Sequence, residues 1–169
     1  YEGTKIDINR CMVIDGDIKK GLVFEFCSGK TLESMLDECL TKADVKAFKA
    51  LIDEYMYWLS YNEDSICVSN IDFIFPNILV DGDKWHIIDY EWTFEKHIDA
   101  KEIAFRAFYN YTLGGETRKA CEELLMKDIL GFTDKQIKTA LEEEKRFQNY
   151  ITGSHASVEQ MRELIGNRA

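Results

Sequence analysis

The chain has 169 residues, enough for one domain with a real core, and its 46% hydrophobic and 31% charged residues are typical of a globular protein. The 31 acidic residues outnumber the 21 basic residues, and the net charge of −10 argues against a nucleic-acid or anionic-membrane surface. No apolar run approaches the length of a membrane span, and no signal-peptide pattern is present. Five cysteines without paired spacing favour reduced thiols in a cytosolic protein over disulfides or zinc.

The N-terminal part of the chain predicts two strands and the start of a helix. Residues 5–14 begin with alternating apolar and polar residues, Asp15-Gly16-Asp17 follows, and residues 21–26 are mainly apolar. We expect a hairpin, or two sequential strands with a turn at Gly16. Thr31 then precedes a helical pattern and is a suitable N-cap residue.

The clearest helix is predicted over residues 44–61. Apolar residues recur there every three or four positions, which is the pattern of a helix that faces a core, and Asp44 can cap the N-terminus. The aromatic residues of this stripe are interpreted as core packing rather than as ligand contacts. The stripe consists of Val45, Phe48, Leu51, Ile52, Tyr55 and Leu59.

A β-hairpin is predicted directly after Asn77. Two β-prone runs, residues 78–80 and 85–88, flank Asp81-Gly82-Asp83, and Asp-Gly between such runs is the strongest short signal for a hairpin. A hairpin brings the start of its first strand close to the end of its second strand. We therefore expect Asn77 and Asp89 to be near neighbours in space although they are twelve positions apart.

The polar residues around this hairpin can bind a cation and accept a proton. An Asn amide and an Asp carboxylate suit Mg²⁺, which takes one or two protein ligands and completes its shell with water and phosphate oxygens. Asp72, five residues before Asn77, can accept a proton from an attacking hydroxyl. Pro76, the only proline, fixes the backbone beside Asn77. In the alternative interpretation, these side chains cap turns through local hydrogen bonds.

The order Asp-x-x-x-x-Asn, strand, turn, strand, Asp resembles the catalytic loop and metal-binding Asp of protein-kinase-like phosphotransferases. Residues 88–91, Ile-Asp-Tyr-Glu, are most similar to the aminoglycoside phosphotransferase and sugar-kinase type. The resemblance implies that Asp72 is the catalytic Asp and that Asn77 and Asp89 bind Mg²⁺. Three departures exist: Asn70 stands where the family often has His, Ile71 stands where it has Arg or Gly, and Tyr90-Glu91 replaces Phe-Gly after the metal-binding Asp.

The resemblance extends to the segment before the first helix. A strand that ends in Glu-Phe, a short linker with Gly, and then Thr-Leu-Glu-x-x-Leu resemble the kinase hinge. The resemblance implies that the backbone of Glu25, Phe26 and Cys27 binds the adenine of ATP. An ordinary strand-to-helix connection is the alternative. Glu91, two residues after Asp89, could touch a second metal or an acceptor hydroxyl, or pair with a base.

The remainder of the chain is predicted to be helical. Gly114-Gly115 and Gly131 end two of the helical patterns, and Thr133 with Gln136 forms a capping-box pattern. Residues 142–146 are interpreted as a solvated charged face. The predicted helices span residues 99–112, 116–130, 133–150 and 157–165.

We therefore expect an α+β fold, mainly helical with short β-hairpins: a protein-kinase-like large (C-terminal) lobe with the last strands of the small lobe. Residues 1–169 would form a single kinase-like domain fragment, with 1–27 as small-lobe strands and hinge and 28–169 as the helical large lobe. No Gly-x-Gly-x-x-Gly loop occurs and the chain begins with Tyr1, so we expect a longer parent protein with a small lobe fused upstream. Residues 144–153 resemble the ending of kinase-like modules fused to methyltransferases or glycosyltransferases.

The resemblance implies an ATP- and Mg²⁺-dependent phosphotransferase that acts on a sugar or glycan hydroxyl in bacterial lipopolysaccharide or surface-polysaccharide biosynthesis. The fragment alone is expected to be inactive, and the parent protein to be cytoplasmic or peripheral to the inner face of the membrane. One alternative is a pseudokinase scaffold that positions a fused methyltransferase or glycosyltransferase. Another is an unrelated α+β domain, in which Asn77 and Asp89 would not converge. We expect neither a nucleic-acid partner nor a transmembrane segment.

Overall fold

The computed structural model describes residues 28–61, 69–88, 93–94 and 98–152. It is mixed α/β, with about 67% of the described residues in helices and a small three-stranded antiparallel sheet. This confirms the expected mainly helical composition with a short β-hairpin. None of the helices in the described ranges is long and apolar enough to cross a membrane. The predicted strands at 5–14 and 21–26 and the predicted helix at 157–165 lie outside the described residues.

The elements follow one another in a simple order, with short strands between longer helices. They are β1 (Lys30–Thr31), α1 (Leu32–Thr41), α2 (Val45–Tyr61), β2 (Ser69–Asn70), a 3₁₀ turn (Phe75–Asn77), β3 (Ile78–Asp81), β4 (Lys84–Ile87), β5 (Thr93–Phe94), α3 (Ala100–Thr112), α4 (Glu116–Lys119), a π-helical turn (Leu124–Ile129) and α5 (Asp134–Thr152). Helices thus precede and follow the central strands that carry the predicted site.

The first two helices are capped as the sequence predicts. The Thr31 side chain accepts a hydrogen bond from the Ser34 N–H at 3.1 Å, and Asp44 accepts one from the Ala47 N–H at 2.9 Å. Val45 is 60% exposed, so its prediction as a core residue is wrong; it lies at the N-terminal end of α2, before the first buried position. The buried members of the α2 stripe are Phe48, Ile52, Tyr55 and Leu59.

The predicted hairpin forms from β3 and β4. These strands are antiparallel, with Val80 opposite Trp85, and β1 pairs with the other edge of β3. The connecting loop is Gly82-Asp83, and Gly82 has a φ of +59°, which glycine adopts without steric cost. His86 lies in β4, as expected. A second, two-stranded sheet joins β2 and β5, so the chain segments before and after the hairpin are paired.

The core lies between α1, α2, α3 and the chain that enters β3. α3 begins after Asp99, whose carboxylate accepts a hydrogen bond from the Lys101 N–H at 2.8 Å. Arg118 ties α4 to α1 through hydrogen bonds to Glu33 and Asp37. The core contains many large aromatic and aliphatic side chains, including the fully buried Tyr55, Tyr111, Phe48, Phe75, Phe108, Leu32, Leu36, Ile52, Ile78 and Leu125.

The segment after α3 differs from the single helix predicted over residues 116–130. α4 is short, and a π-helical turn follows it. In that turn the Leu130 N–H donates to the Leu125 carbonyl at 3.2 Å, one residue farther along the chain than in an α-helix. The wider turn occurs where Leu125 and Met126, adjacent in sequence, are both buried. Gly131 ends the segment with a φ of +70°, in agreement with the predicted C-cap.

α5 opens with the predicted capping box and then packs against α3. The Thr133 N–H donates to Gln136 Oε1 at 2.9 Å, and the Gln136 N–H donates to Thr133 Oγ1 at 3.4 Å. One expectation for this helix is wrong: Glu144, in the segment 142–146 predicted to be solvated, is only 8% exposed. It lies on the same side of α5 as the buried Phe147, three residues later.

Candidate functional site

The loop of residues 71–77 is anchored on the core by two aromatic side chains. The Phe73 ring stacks on Tyr55 with centroids 5.2 Å apart, and Phe75 meets the Tyr55 ring edge-on at 5.0 Å. The Tyr55 hydroxyl donates to the Phe73 carbonyl at 2.7 Å. Burial raises the pKa of Tyr55 well above its ordinary value, so the hydroxyl keeps the proton that it donates. The backbone next to Asp72 is therefore fixed to α2.

Asp72 and Asn77 are joined by a hydrogen bond within this loop. Asn77 Nδ2 donates to the Asp72 carbonyl oxygen at 3.0 Å, and the Ile74 N–H donates to the same oxygen at 2.7 Å. Asn70 Oδ1 accepts a hydrogen bond from the Asp72 N–H at 2.9 Å. Because the amide nitrogen of Asn77 is used within the loop, its Oδ1 is the atom that can accept a further hydrogen bond or bind a cation.

The hairpin returns the chain to this loop at Asn77. The Ile88 N–H donates to the Asn77 carbonyl at 3.0 Å, so the residue that follows β4 lies beside Asn77. Farther from the hairpin, β2 pairs with β5, and the Ile98 N–H donates to Ser69 Oγ at 2.8 Å. The chain is therefore held together both at the base of the hairpin and at the start of the loop.

A buried arginine from α3 reaches the same loop. Arg106 is 8% exposed, its Nε donates to the Ile71 carbonyl at 3.0 Å, and its Nη2 lies 3.6 Å from Asp72 Oδ1. Its Nη1 donates to Glu144 Oε1 at 2.5 Å, and the guanidinium carbon lies 4.6 Å from the centroid of the Phe147 ring. One side chain thus connects the loop, α3 and α5.

The polar groups around Arg106 form a buried cluster. Asp72 and Glu144 are each 8% exposed, and Gln148 Nε2 donates to Glu144 Oε1 at 2.7 Å. Burial of a charge is costly unless the charge is paired and hydrogen-bonded. Removal of the Arg106 guanidinium would therefore leave two buried carboxylates without this cation.

A cavity of about 700 Å³ lies between α3 and α5, next to this cluster. Its wall includes Ile71 and Arg106, so it borders the residue that precedes Asp72. Apolar side chains such as Phe105 and polar side chains such as Gln136 both contribute to the wall. The volume falls within the range of roughly 300–1,000 Å³ that is usual for small-molecule sites.

The oxygen chemistry of this loop is compatible with a hard cation held by few protein ligands. Within the segments that the structure describes, no three His, Cys, Asp or Glu side chains form a group that could hold a metal ion. A cation bound by Asn77 Oδ1 would therefore have at most two such side chains of the described segments as further ligands, with water or phosphate oxygens completing its shell. Mg²⁺ is commonly bound in this sparse way.

The structure brings two of the predicted site residues together, Asp72 and Asn77. The convergence of Asn77 with Asp89 and the hinge role of residues 25–27 stay predictions. The predicted site residues that lie outside the described part of the chain are Glu25, Phe26, Cys27, Asp89 and Glu91.

Sequence reasoning did not identify Arg106, Glu144 or Asn70 as part of the site. Arg106 did carry a usable signal, because it lies three residues after Ile103 in a helix whose neighbouring positions are apolar. A charged residue at such a position indicates a buried ion pair. Glu144 carried no such signal, because it lies in a run of five charged residues.

No family model, curated protein or solved structure matches the chain. The class of protein is therefore inferred from the residues of the 71–77 loop and their surroundings.

Proposed function

We propose that the protein is an ATP- and Mg²⁺-dependent phosphotransferase of the protein-kinase-like class, acting on a sugar or glycan hydroxyl. The observation that carries this proposal is the hydrogen bond from Asn77 Nδ2 to the Asp72 carbonyl, because it joins a carboxylate-bearing residue to a possible Mg²⁺ ligand in one anchored loop. The bond from the Ile88 N–H to Asn77 adds support, since Asp89 is the next residue in the chain. A bacterial, cytoplasmic role in surface-polysaccharide synthesis belongs to the same proposal.

Each residue has a distinct role in the proposed reaction. Asp72 accepts the proton of the acceptor hydroxyl as that oxygen bonds to the γ-phosphorus of ATP and ADP leaves. Asn77 Oδ1 and the Asp89 carboxylate would hold Mg²⁺, which when bound with ATP neutralises the negative charge on the transferred group. The backbone of residues 25–27 would bind the adenine. Because Tyr55 fixes the loop in advance, Asp72 needs little reorganisation during the reaction.

We place the acceptor in the cavity between α3 and α5, whose wall carries apolar, polar and charged side chains, the last including Lys135 and Glu143. It borders Ile71, and its wall offers both apolar surface and hydrogen-bonding groups such as Gln136 and Thr139, a combination that suits a sugar ring. The net charge of −10 would not repel a neutral sugar.

Asp72→Asn in the full-length protein tests the proposed base. The substitution keeps the size of the side chain but removes the proton acceptor, so phosphoryl transfer from ATP to a panel of sugars and glycans should fall by about 10²- to 10⁴-fold. Asp83→Asn is the matched control. It makes the same Asp-to-Asn change at an exposed position of the hairpin loop, so this variant should keep full activity. Wild-type transfer by the Asp72→Asn protein would refute the assignment.

A pseudokinase scaffold, which would position a fused methyltransferase or glycosyltransferase, is the second candidate. The low exposure of Asp72 favours this candidate, because a catalytic base has to reach a substrate. Calorimetric titration of the full-length protein with ATP, with and without Mg²⁺, separates the two functions. Mg²⁺-dependent binding that weakens in Asn77→Ala supports the phosphotransferase, and the absence of binding by the wild-type protein supports the scaffold.

A further inference from the structure

Arg106 contacts both the proposed base and the residue before it. Its Nε donates to the Ile71 carbonyl at 3.0 Å, and its Nη2 lies 3.6 Å from Asp72 Oδ1. The guanidinium is planar and rigid, so its nitrogens keep a constant separation. The Ile71 backbone and the Asp72 carboxylate are therefore both located relative to one rigid group.

The guanidinium is itself held in place by α5. Glu144 Oε1 accepts a hydrogen bond from Arg106 Nη1, and Gln148 Nε2 donates to the same oxygen at 2.7 Å. The Phe147 ring lies 4.6 Å below the guanidinium carbon. Because Arg106 and Glu144 are both 8% exposed, water and salt screen their attraction far less than at the surface. The orientation of Arg106 thus depends on α5 as well as on α3.

The distance between Arg106 and Asp72 is informative. At 3.6 Å, Nη2 is beyond the usual range of about 2.7–3.2 Å for an N–H···O hydrogen bond. The guanidinium attracts and orients the carboxylate at this distance without occupying one of its lone pairs in a short hydrogen bond. The contact with Arg106 is therefore an ion pair that orients the carboxylate, and it is compatible with proton acceptance by Asp72.

We infer that Arg106 is a positioning residue that orients the Asp72 carboxylate for proton acceptance and makes this orientation depend on α5. The inference rests on the proposed function, in which Asp72 is the base. In a merely structural role, Arg106 would serve only to pair the buried charge of Glu144. The two roles predict different kcat values when Arg106 and Glu144 are both replaced by neutral residues: a structural role predicts little change, and a positioning role predicts a lower kcat.

The test compares Arg106→Met with the double variant Arg106→Met/Glu144→Gln in the full-length protein. The single variant leaves the buried Glu144 and Asp72 without the Arg106 cation, so its melting temperature and its kcat should both fall. In the double variant the Gln still accepts the hydrogen bond from Gln148 and no charge is left at position 144, so the melting temperature should recover in part, while Asp72 still lacks the Arg106 cation. The kcat should stay lowered by about 10- to 100-fold, with the KM for ATP unchanged, because the base is displaced while the nucleotide site is not. Arg106→Lys should show an intermediate kcat.

The outcomes separate this inference from the proposed function. A double variant with kcat within twofold of the wild type would overturn the positioning role. If neither methionine variant folds, a wild-type kcat in Arg106→Lys, which keeps the charge but lacks the planar fork, would overturn it as well. Arg146→Met is the matched control, since Arg146 is an exposed arginine of α5, the helix that carries Glu144, and its replacement should change neither the melting temperature nor kcat. Full activity of Asp72→Asn in the same assay would instead refute the proposed function.

Discussion

Tyr55→Phe isolates the hydrogen bond that fixes the 71–77 loop to the core. The substitution keeps the ring, and with it the packing on Phe73 and Phe75, and removes only the hydroxyl that donates to the Phe73 carbonyl at 2.7 Å. Phe73 is 7% exposed, so its carbonyl would lose a partner in a site with little access to water. Leaving a buried acceptor without its partner costs about 1–3 kcal/mol. We therefore expect the free energy of unfolding to fall by about 2 kcal/mol.

Urea unfolding of the wild-type and variant chains, followed by circular dichroism, measures this loss. A loss of about 2 kcal/mol should lower the unfolding midpoint by roughly 0.7–2 M, given m-values of roughly 1–3 kcal/mol/M, with m itself unchanged. In a thermal scan it should lower the melting temperature by about 4–8 °C for a chain of this length. Tyr57→Phe is the control, because Tyr57 is 60% exposed and its change should stay within about 0.5 kcal/mol. A loss in Tyr55→Phe no larger than in this control would refute the proposed anchoring.

Three further predictions concern stability and reactivity. Burial is the main cause that raises the pKa of both Tyr55 and Tyr111, so these phenols keep their protons in the folded protein while unfolded tyrosines ionise near pH 10. The contribution of these phenols to the free energy of unfolding should therefore be fully present below about pH 10 and be lost as the pH rises further. Measured by urea unfolding at a series of pH values, this decrease with pH should be smaller in Tyr55→Phe. Gly29→Ala should destabilise the chain by more than about 1 kcal/mol in the same urea assay, because Gly29 has a φ of +130° and an added Cβ would lie 2.5 Å from the Val80 carbonyl oxygen. Burial also raises the pKa of the Cys121 thiol, so its alkylation at pH 8, measured by peptide mass spectrometry, should be slower in the folded than in the urea-unfolded chain.

Local sequence signals predicted most of the described fold. The hairpin depended on an Asp-Gly turn between β-prone runs, and the helix starts depended on capping residues such as Thr31 and Asp44, all of which act within a few residues. The π-helical turn was not predicted, because apolar spacing alone indicates a helix but does not determine the hydrogen-bonding step. Val45 fits the apolar stripe of α2, yet the helix end on which it lies is exposed.

Only those contacts of the candidate site that join residues close in sequence could be predicted. Asp72 and Asn77 are five residues apart, so one loop was enough to bring them together. The contact of Arg106 with Glu144 joins residues 38 positions apart and depends on the packing of α3 against α5. Sequence patterns state which helix faces are apolar, but they do not state which residues of two helices meet. The buried charged pair therefore had to be found in the structure.

The hydrogen bonds of the 71–77 loop show how its asparagine side chains close the turn around Asp72. Asn70 and Asn77 both use their side chains to close the turn, through the Asp72 N–H and the Asp72 carbonyl respectively. Asp72 contributes to these turn bonds with its main chain, which any residue other than proline could supply, while its carboxylate faces Arg106. A small uncharged side chain would be buried here at lower free-energy cost than a carboxylate that needs a buried guanidinium. Turn geometry therefore explains the side chains of the two asparagines, and under the proposed function the Asp72 carboxylate, oriented by Arg106, would be the proton acceptor.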